Sequence, residues 1–289
     1  MATQPSIFRD PDLQRQFDVS GYVVVRFFDA NEVTALKKLY RKYYDGSPIQ
    51  GFHTLINIKA PETRRQIYQD IAAAYRPQLA QYLIDYEPFI ASFAIKEPGD
   101  SGRIPLHLDW SVVDEREHIS LNNWGPLTDT NIDNGCLCML KGSHLHEFSY
   151  RGSNINFIAV ESPARNIMQE MVARYPIRPL RMQAGEMVLY SHKTAHFSMP
   201  NRSQTTRVAT SLVAIPRGAQ PVHYHLNPDG SITRFKSGRE FYLHHQHGDL
   251  PRHGLTEPQT ISPERIGCVE DQVSALIELD DKTRAAWRA

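Results

Sequence analysis

The sequence predicts a mainly β fold with flanking helices, of the antiparallel sandwich or jelly-roll type. Between residues 88 and 216 the chain is a series of short β-like runs bounded by Gly, Pro, Asn and Asp, which is the pattern of such folds. Helical patterns are concentrated before residue 88. The 289 residues, of which 41% are apolar and 10% aromatic, suffice for one sizeable core.

The N-terminal part alternates helix and strand signals. Residues 22–28 have the composition of a strand, and Asp29-Ala-Asn-Glu32 resembles a capping box that opens an amphipathic helix. A second helical region runs from about residue 62 to residue 86. We expect Pro77 to divide this region into two helices, because an interior proline removes a backbone donor and collides with the preceding turn.

The strands predicted for the core are residues 89–95, 106–113, 119–127, 136–140, 177–182, 187–191 and 207–216. A helical insertion at residues 163–174 interrupts them. Beyond residue 217 the chain is rich in His, Gly and Pro before a last amphipathic stretch at residues 273–279, so it is interpreted as an extension that covers the barrel. We therefore expect a single domain, residues 1–289, with a helical flank (1–87), a jelly-roll core (88–216) and a C-terminal extension (217–289).

The bulk composition narrows the class of partner. With 32 basic and 32 acidic residues the chain has no net charge to recruit nucleic acid or an anionic membrane, so a small-molecule partner is expected. We find no export signal and no run of about 18 apolar residues, which favours a cytoplasmic protein. Three cysteines agree with a reducing compartment, and Cys136 and Cys138 are expected in the core. The C-terminal extension is a candidate homodimer contact.

A His-x-Asp pair lies at residues 107–109. On a strand, side chains two apart point the same way, so His107 and Asp109 would present an imidazole and a carboxylate to one ion. About one such pair is expected by chance in a chain of this composition, and a second copy is indeed present at His247 and Asp249.

The sequence that follows each copy separates the two. After Asp109 come further strand runs and then His196, with Ser198 and Arg207 at fixed offsets. The second copy has no strands left after it to build a site. His192, four residues before His196, could replace it as the third ligand, but it lacks the Ser and Arg at matching offsets. The first copy is therefore the candidate metal site.

Two imidazoles and one carboxylate on one face of an octahedral iron leave three positions open, which is the ligand set of non-haem iron(II) oxygenases. If 2-oxoglutarate takes two positions and dioxygen the third, the far carboxylate of 2-oxoglutarate needs a bidentate cation. The planar guanidinium of Arg207 suits that task, and Ser198 can add a hydroxyl donor. We expect Arg207 to lie on a strand antiparallel to the strand that ends near His196.

Together these motifs resemble the phytanoyl-CoA dioxygenase family. The resemblance spans roughly residues 15–216 and rests on His107-x-Asp109, Trp124 seventeen residues after His107, Asn134-Gly135-Cys136-Leu137 with Gly142-Ser143-His144, and His196-x-Ser198-x-x-Asn201 with Arg207. It implies a cupin-like double-stranded β-helix that binds iron(II), 2-oxoglutarate and dioxygen. It also implies oxidation, most simply hydroxylation, of an unactivated carbon of a small-molecule metabolite, with release of succinate and CO2.

Residue by residue, the resemblance implies iron-binding catalytic residues at His107, Asp109 and His196. It implies co-substrate contacts at Arg207, Ser198 and Trp124. Two departures lie in turns and leave the ligands untouched: Lys141 stands where proline is usual before Gly-Ser-His, and Glu186 stands where aspartate is usual after glycine.

Two alternatives and several details stay open. Asp109 argues against a halogenase, in which Gly or Ala at this position makes room for chloride. A non-catalytic or zinc-loaded cupin-like binding protein would use the triad but would give Arg207 no task. The motifs do not identify the substrate, because loops and flanking helices set specificity. Residues 52–59, Trp110 and the chain after residue 217 are candidate lining, and His223-Tyr224-His225 faces either substrate or core.

Overall fold

The computed structural model describes residues 6–44, 51–146, 151, 171–227, 231–245 and 255–261. Helices span Pro11–Ser20 (α1), Ala30–Tyr43 (α2), Pro61–Tyr82 (α3) and Phe241–His244 (α4). Among these described residues no helix is long and apolar enough to cross a membrane. Of the predicted insertion only residues 171–174 are described, and they are helical. The predicted stretch at 273–279 and the second His-x-Asp pair at 247–249 lie outside the described residues.

The strands of the described chain are β1 (Tyr22–Arg26), β2 (Phe52–His53), β3 (Tyr86–Lys96), β4 (Ile104–His107), β5 (Leu121–Pro126), β6 (Leu137–Leu140), β7 (Ile177–Pro179), β8 (Glu186–Ser191), β9 (His196–Ser198), β10 (Arg207–Pro216), β11 (Val222–Leu226), β12 (Ile232–Ser237) and β13 (Leu255–Ile261). They form a six-stranded sheet in the order β1-β8-β5-β10-β3-β2, a four-stranded sheet in the order β4-β9-β6-β7 and a three-stranded sheet in the order β11-β12-β13. All of the pairings are antiparallel.

The six-stranded and four-stranded sheets face each other as the two layers of a jelly roll. Side chains of β5 and β8, such as Trp124 and Tyr190, pack in one buried cluster with Leu137 and Met139 of β6. Because side chains alternate along a strand, every second residue of β5, β8 and β10 points into this space. The mainly β jelly roll expected from the sequence is therefore confirmed.

The helices cover the outer face of the six-stranded sheet. Outward-facing residues such as Leu121 and Leu189 join Ile67 and Tyr75 of α3 in the largest buried cluster. The capping box of α2 is confirmed, because the Asp29 side chain accepts from the Glu32 amide and the Glu32 side chain accepts from the Asp29 amide, each at 2.8 Å. With its outer face covered, the sheet directs its inner face to the site.

The expected break at Pro77 was wrong, because α3 continues through it to Tyr82. The proline removes one backbone hydrogen bond and costs about 3 kcal/mol in an exposed helix. Here Ile71, Tyr75 and Leu79 are all buried on one side of the helix, with exposed fractions of 0%, 0% and 2%. Burial of apolar side chains both before and after the proline outweighs the lost bond and keeps the helix in one piece.

Other boundaries also differ from the prediction. The run predicted at residues 106–113 was wrong beyond His107, where β4 ends, and the run predicted at 177–182 ends at Pro179. The C-terminal extension contains β11, β12 and β13, which its His-rich and Gly-rich composition concealed. By contrast, β10 matches the predicted run at residues 207–216. The division of the chain into flank, core and extension stays a prediction.

Candidate metal centre

Three side chains converge between the two facing sheets. His107 ends β4 and His196 begins β9, and the two residues lie opposite each other in the paired strands. The Nε2 atom of each imidazole is 3.9 Å from Oδ1 of Asp109. The three donor atoms lie within 4.8 Å of one another, and all three residues are buried. Asp109 follows the end of β4, so a shared strand face does not explain the convergence as the sequence suggested.

Both imidazoles are held by main-chain carbonyls. Nδ1 of His107 is 2.8 Å from the Pro105 oxygen, and Nδ1 of His196 is 2.9 Å from the Thr194 oxygen. Because a carbonyl only accepts hydrogen bonds, each Nδ1 carries the proton and each Nε2 presents a lone pair. Two such lone pairs and one carboxylate form the ligand set of an octahedral divalent ion with open positions. The donor set therefore fits iron(II).

The electrostatics keep these groups in metal-binding form. Burial, aided by His196, lowers the pKa of His107 to about 3. Burial would raise the pKa of Asp109, but the nearby histidines His196, His192 and His107 and a hydrogen bond from Asn122 bring it down to about 2. At neutral pH the His107 imidazole is neutral and the carboxylate is charged, so neither has to lose a proton to bind a cation.

Other side chains hold Asp109 in place. Asn122 Nδ2 donates to Asp109 Oδ2 at 3.1 Å. The Oδ1 atom of Asn122 accepts from Ser211 Oγ at 2.9 Å. The buried Arg151 donates through Nε to the Asp109 carbonyl at 2.6 Å and pairs with Glu115. This arrangement leaves Asp109 Oδ1 facing the two imidazoles. The sequence did not indicate Asn122 or Arg151, because no local pattern connects either residue to Asp109.

His192 does not belong to this group of donor atoms in the described chain. Its Nδ1 is 3.0 Å from the Trp110 carbonyl, which directs that edge of the ring to the loop after Asp109. Its effect on the pKa of Asp109 places it beside the site without making it a third imidazole of the cluster. His196 is therefore the donor that the geometry brings together with His107.

Arg207 lies at the start of β10 and is 2% exposed. Burial lowers its pKa to about 10, so it stays cationic at neutral pH. The guanidinium lies over the Trp124 ring at 5.0 Å, Nη1 donates to the Gly135 carbonyl at 3.2 Å, and Nε has no hydrogen-bond partner in the described residues. A pairing with Glu186 is absent from the described contacts, since Glu186 accepts from the Gln183 amide. A buried guanidinium with an unused donor fits a carboxylate ligand.

A second basic side chain, Lys96, is buried beside Arg207. Lys96 of β3 lies opposite Arg207 and is 0% exposed, and its Nζ donates to Ser198 Oγ and to the Met199 carbonyl, each at 2.6 Å. Burial and the neighbouring Arg207 lower the pKa of Lys96. Since Ser198 is two residues after His196 on β9, it connects this pair of basic side chains to the metal cluster. The signal for Lys96 in the sequence was a charged residue at the end of the apolar run 89–95.

The expected neighbourhood of the Arg207 strand was wrong. β10 pairs with β3 and β5, so β5 separates it from β8, the strand that ends before His196, whereas β9, which begins at His196, belongs to the facing sheet. Arg207 and His196 therefore approach the same space from opposite layers. The strands that lie beside β10 could not be predicted from the sequence, because sheet order depends on pairings between distant segments.

Two further expectations have outcomes. Cys136 and Cys138 lie in a buried apolar cluster with Leu106, so the core interpretation of this pair is confirmed.

His223 is buried, and its Nδ1 is 3.1 Å from the Tyr242 hydroxyl of α4. The Tyr242 ring lies 6.5 Å from the Trp110 ring, so β11 and α4 cover the side of the site next to Asp109.

Comparisons with known proteins agree with this geometry. A model of the phytanoyl-CoA dioxygenase family matches residues 17–209. A phytanoyl-CoA dioxygenase of Arabidopsis thaliana is 29% identical over 123 residues, which cover 42% of this chain and 41% of that protein. A phytanoyl-CoA dioxygenase domain-containing protein 1 homolog of Dictyostelium discoideum is 25% identical over 127 residues, which cover 42% of this chain and 43% of that protein. The chain thus spans less than half the length of these curated relatives.

Solved structures share the fold at low identity. The epimerase SnoN, in complex with Fe3+, α-ketoglutarate and nogalamycin RO, has a TM-score of 0.54 at 19% identity and covers 93% of this chain and 96% of its own. The α-ketoglutarate-dependent carbocyclase SnoK has a TM-score of 0.52 at 21% identity and covers 73% of this chain and 86% of its own. EctD from S. alaskensis, with 2-oxoglutarate and 5-hydroxyectoine, has a TM-score of 0.51 at 19% identity and covers 72% of this chain and 76% of its own.

Proposed function

The chain belongs to the phytanoyl-CoA dioxygenase family, and on that basis we propose that it is an iron(II)- and 2-oxoglutarate-dependent dioxygenase. It oxidises an unactivated carbon of a small-molecule metabolite, most simply by hydroxylation, and releases succinate and CO2. The observation on which this proposal chiefly rests is the convergence of two imidazole lone pairs and one carboxylate on a single point between the sheets.

In this proposal His107, Asp109 and His196 bind iron(II). The carbonyls of Pro105 and Thr194 orient the two imidazoles through their Nδ1 protons, and such outer contacts commonly fix the tautomer of metal-binding histidines. Iron(II), when bound with 2-oxoglutarate and dioxygen, supplies the oxidising chemistry. These three side chains would hold the ion, and a set of three protein ligands would leave room on it for the small molecules.

The co-substrate is bound through its far carboxylate by Arg207. The unused Nε donor and the lack of a paired acid among the described residues support this role, and the Trp124 ring packs against one face of the guanidinium. Lys96 orients the Ser198 hydroxyl, whose proton is then free to point to the carboxylate, and a bound carboxylate would favour the charged form of the Lys96 amine. A carboxylate bound beside them explains why two basic side chains, Arg207 and Lys96, are buried next to each other.

The alternative, a non-catalytic or zinc-loaded binding protein, gives this pair of basic side chains no task. Titration with iron(II) and 2-oxoglutarate under argon separates the two functions. A keto acid that chelates the iron produces a metal-to-ligand charge-transfer band in the visible spectrum, and we expect this band for the wild-type protein. A protein that binds iron(II) but develops no such band on adding 2-oxoglutarate would contradict the proposed function.

We predict one iron(II) per chain in protein purified without oxygen. His107→Ala and His196→Ala should each remove most of it, because a three-ligand site has no spare protein donor. Metal analysis after desalting gives the stoichiometry, and His192→Ala is the comparison variant, expected to keep its iron. Loss of iron in His192→Ala with retention in His196→Ala would show that the third ligand is misassigned.

A further inference from the structure

The inner faces of β5 and β8 carry side chains in opposed pairs. Trp124 lies opposite Val188, and Asn122 lies opposite Tyr190. All four point away from the helices, because the intervening Leu189 packs in the outer cluster and side chains alternate along a strand. These successive side-chain pairs therefore form one wall of the space between the sheets.

This wall passes from the co-substrate site to the metal cluster. Trp124, in the first pair, lies under the Arg207 guanidinium. In the second pair, Asn122 donates to Asp109, and the Tyr190 hydroxyl is 3.4 Å from Nε2 of His196. The next pair along the wall lies beyond the metal ligands, on the side away from Arg207.

That next pair is Ser120 and His192. The His192 amide donates to the Ser120 carbonyl at 3.3 Å, which extends the pairing of β5 and β8 by one step. Because side chains alternate, both residues point to the same face as Asn122 and Tyr190. Both side chains are almost fully enclosed, with 1% of each residue exposed.

Both side chains have an unused polar atom. Neither Ser120 Oγ nor His192 Nε2 has a hydrogen-bond partner within the described part of the chain. The His192 proton is on Nδ1, which faces the Trp110 carbonyl, so Nε2 is a bare acceptor. Burying two such groups opposite each other without partners is unfavourable, and native proteins rarely keep such groups unless a ligand or water binds them.

We propose that Ser120 and His192 together bind a hydroxyl group of an uncharged substrate, next to the metal on the side away from Arg207. This inference rests on the proposed function and specifies its substrate class. A single hydroxyl group satisfies both residues, because its proton goes to His192 Nε2 and its oxygen accepts from the Ser120 hydroxyl. An ether or carbonyl oxygen has no proton to offer to the imidazole.

The charges around the pair favour a neutral group. Arg151, the buried cation beside this part of the site, is already paired with Glu115 and bonded to the Asp109 carbonyl. A carboxylate or phosphate at the pair would face the His192 lone pair with no free cation nearby among the described residues. The buried guanidinium with an unused donor, Arg207, lies at the other end of the wall beside Lys96.

Ethylene glycol and 1,2-dimethoxyethane are paired probes, because they share an O-C-C-O skeleton and a methyl group replaces each hydroxyl proton in the second. In crystals of the wild-type protein soaked with each probe, we expect a glycol oxygen within hydrogen-bond distance of both His192 Nε2 and Ser120 Oγ, and no dimethoxyethane there. In solution, NMR titration should show roughly three- to tenfold weaker glycol binding for Ser120→Ala and for His192→Leu. His144→Leu, a histidine outside the site, should bind as the wild type does.

Equal binding of the two probes, or a water molecule at the pair that glycol does not displace, would overturn the inference. Unchanged glycol binding in Ser120→Ala and His192→Leu would do the same. The charge-transfer band of the wild-type protein is recorded on the same preparation. If the band forms and glycol does not bind at the pair, only the substrate inference fails. If the band does not form, the oxygenase proposal fails, and the glycol result still decides whether the pair binds a hydroxyl group.

Discussion

At the scale of single residues, the site combines two imidazoles, a charged carboxylate and two buried basic side chains. Arg207 is the residue whose charge has the clearest proposed task. A two-pronged, charge-assisted contact in a site shielded from water contributes on the order of 2 to 4 kcal/mol. A guanidinium that only packs against protein would contribute far less to co-substrate binding.

We predict that Arg207→Ala raises the apparent KM for 2-oxoglutarate roughly 30-fold to 1000-fold while iron binding stays nearly intact. Arg207→Lys should rescue only in part, because a point charge does not reproduce the planar fork. Succinate formation against 2-oxoglutarate concentration measures this. The matched control is Arg202→Ala, an exposed arginine with a 4.0 Å ion pair to Asp100, which should leave the KM unchanged. Similar curves for wild type and Arg207→Ala would refute the co-substrate role.

Asn122 holds the Asp109 carboxylate in place by a hydrogen bond. Asn122→Ala keeps the carboxylate but removes the donor to its Oδ2. Loss of such an outer contact commonly weakens metal binding about 10-fold to 100-fold. We expect iron(II) binding to weaken by that factor in Asn122→Ala and by more in Asp109→Gly. Asp109→Gly should also abolish substrate oxidation, while its circular dichroism melt changes little. Anaerobic calorimetry with iron(II) measures both affinities, and wild-type affinity in Asn122→Ala would contradict the positioning role.

The residues of the site differ in how far the sequence could predict them. His107, Asp109, His196 and Arg207 were identifiable because their residue types and spacing have chemical meaning on their own. Asn122 and Arg151 have meaning only through contacts with a residue 13 and 42 positions away, and only the folded chain supplies these contacts. The assignment of the ligands and co-substrate contacts stays a prediction until the variants are measured.

At the scale of elements, helix α3 contacts the short helix α4 through two adjacent arginines, Arg64 and Arg65. Arg64 is 3% exposed, and it donates through Nε to the Leu243 carbonyl at 2.9 Å and through Nη1 to the Ile58 carbonyl at 2.7 Å. Arg65 is a third exposed and contacts His244 and Glu62. The two residues are adjacent, yet only the first is enclosed.

We predict that Arg64→Ala lowers the free energy of unfolding by about 2 to 4 kcal/mol, because it leaves buried carbonyls without a donor. Arg65→Ala should cost no more than about 1 kcal/mol, since exposed ion pairs contribute little. Denaturant titration of both variants gives the free energies, and limited proteolysis near α4 should be faster only in Arg64→Ala. Equal destabilisation of the two variants would show that α4 is not held in this way.

Elements were predictable where local pattern and tertiary packing agree. The short β-like run of β10 is buried on both faces, one towards the helices and one towards the site, and its bounds were predicted correctly. Pro77 misled because its local penalty is smaller than the burial of the helix on both sides. Strand β4 ends at His107 although apolar residues continue, because the chain turns there to bring Asp109 to the cluster.

At the scale of the whole molecule, buried neutral histidines make stability depend on pH. Burial lowers the folded-state pKa of His107 to about 3 and, together with His225, that of His223 to about 4, against about 6.5 in the unfolded chain. A depressed pKa gives stability that is fully present above the unfolded value and is lost as pH falls towards the folded value. Asp109, with a folded pKa of about 2, keeps its contribution through this window.

We therefore predict that metal-free protein loses stability between about pH 6.5 and about pH 4, by about 1.4 kcal/mol per pH unit for each of these histidines. Urea unfolding in the presence of a chelator, repeated across that range, measures the slope. His223→Phe should make the slope shallower by about the amount of one group. A free energy of unfolding that is constant across the window would contradict the prediction.

The position of β10 has a consequence for how the protein is made. This strand alone joins β1-β8-β5 to β3-β2, and it follows all three candidate metal ligands in the chain. A nascent chain that has left the ribosome only as far as His196 already contains every candidate ligand, yet its large sheet is still in two separate parts. Pairings between such distant segments form late and slowly. Iron should therefore enter only after Arg207 has emerged, so that the metal and the residue proposed to bind its co-substrate reach the site together.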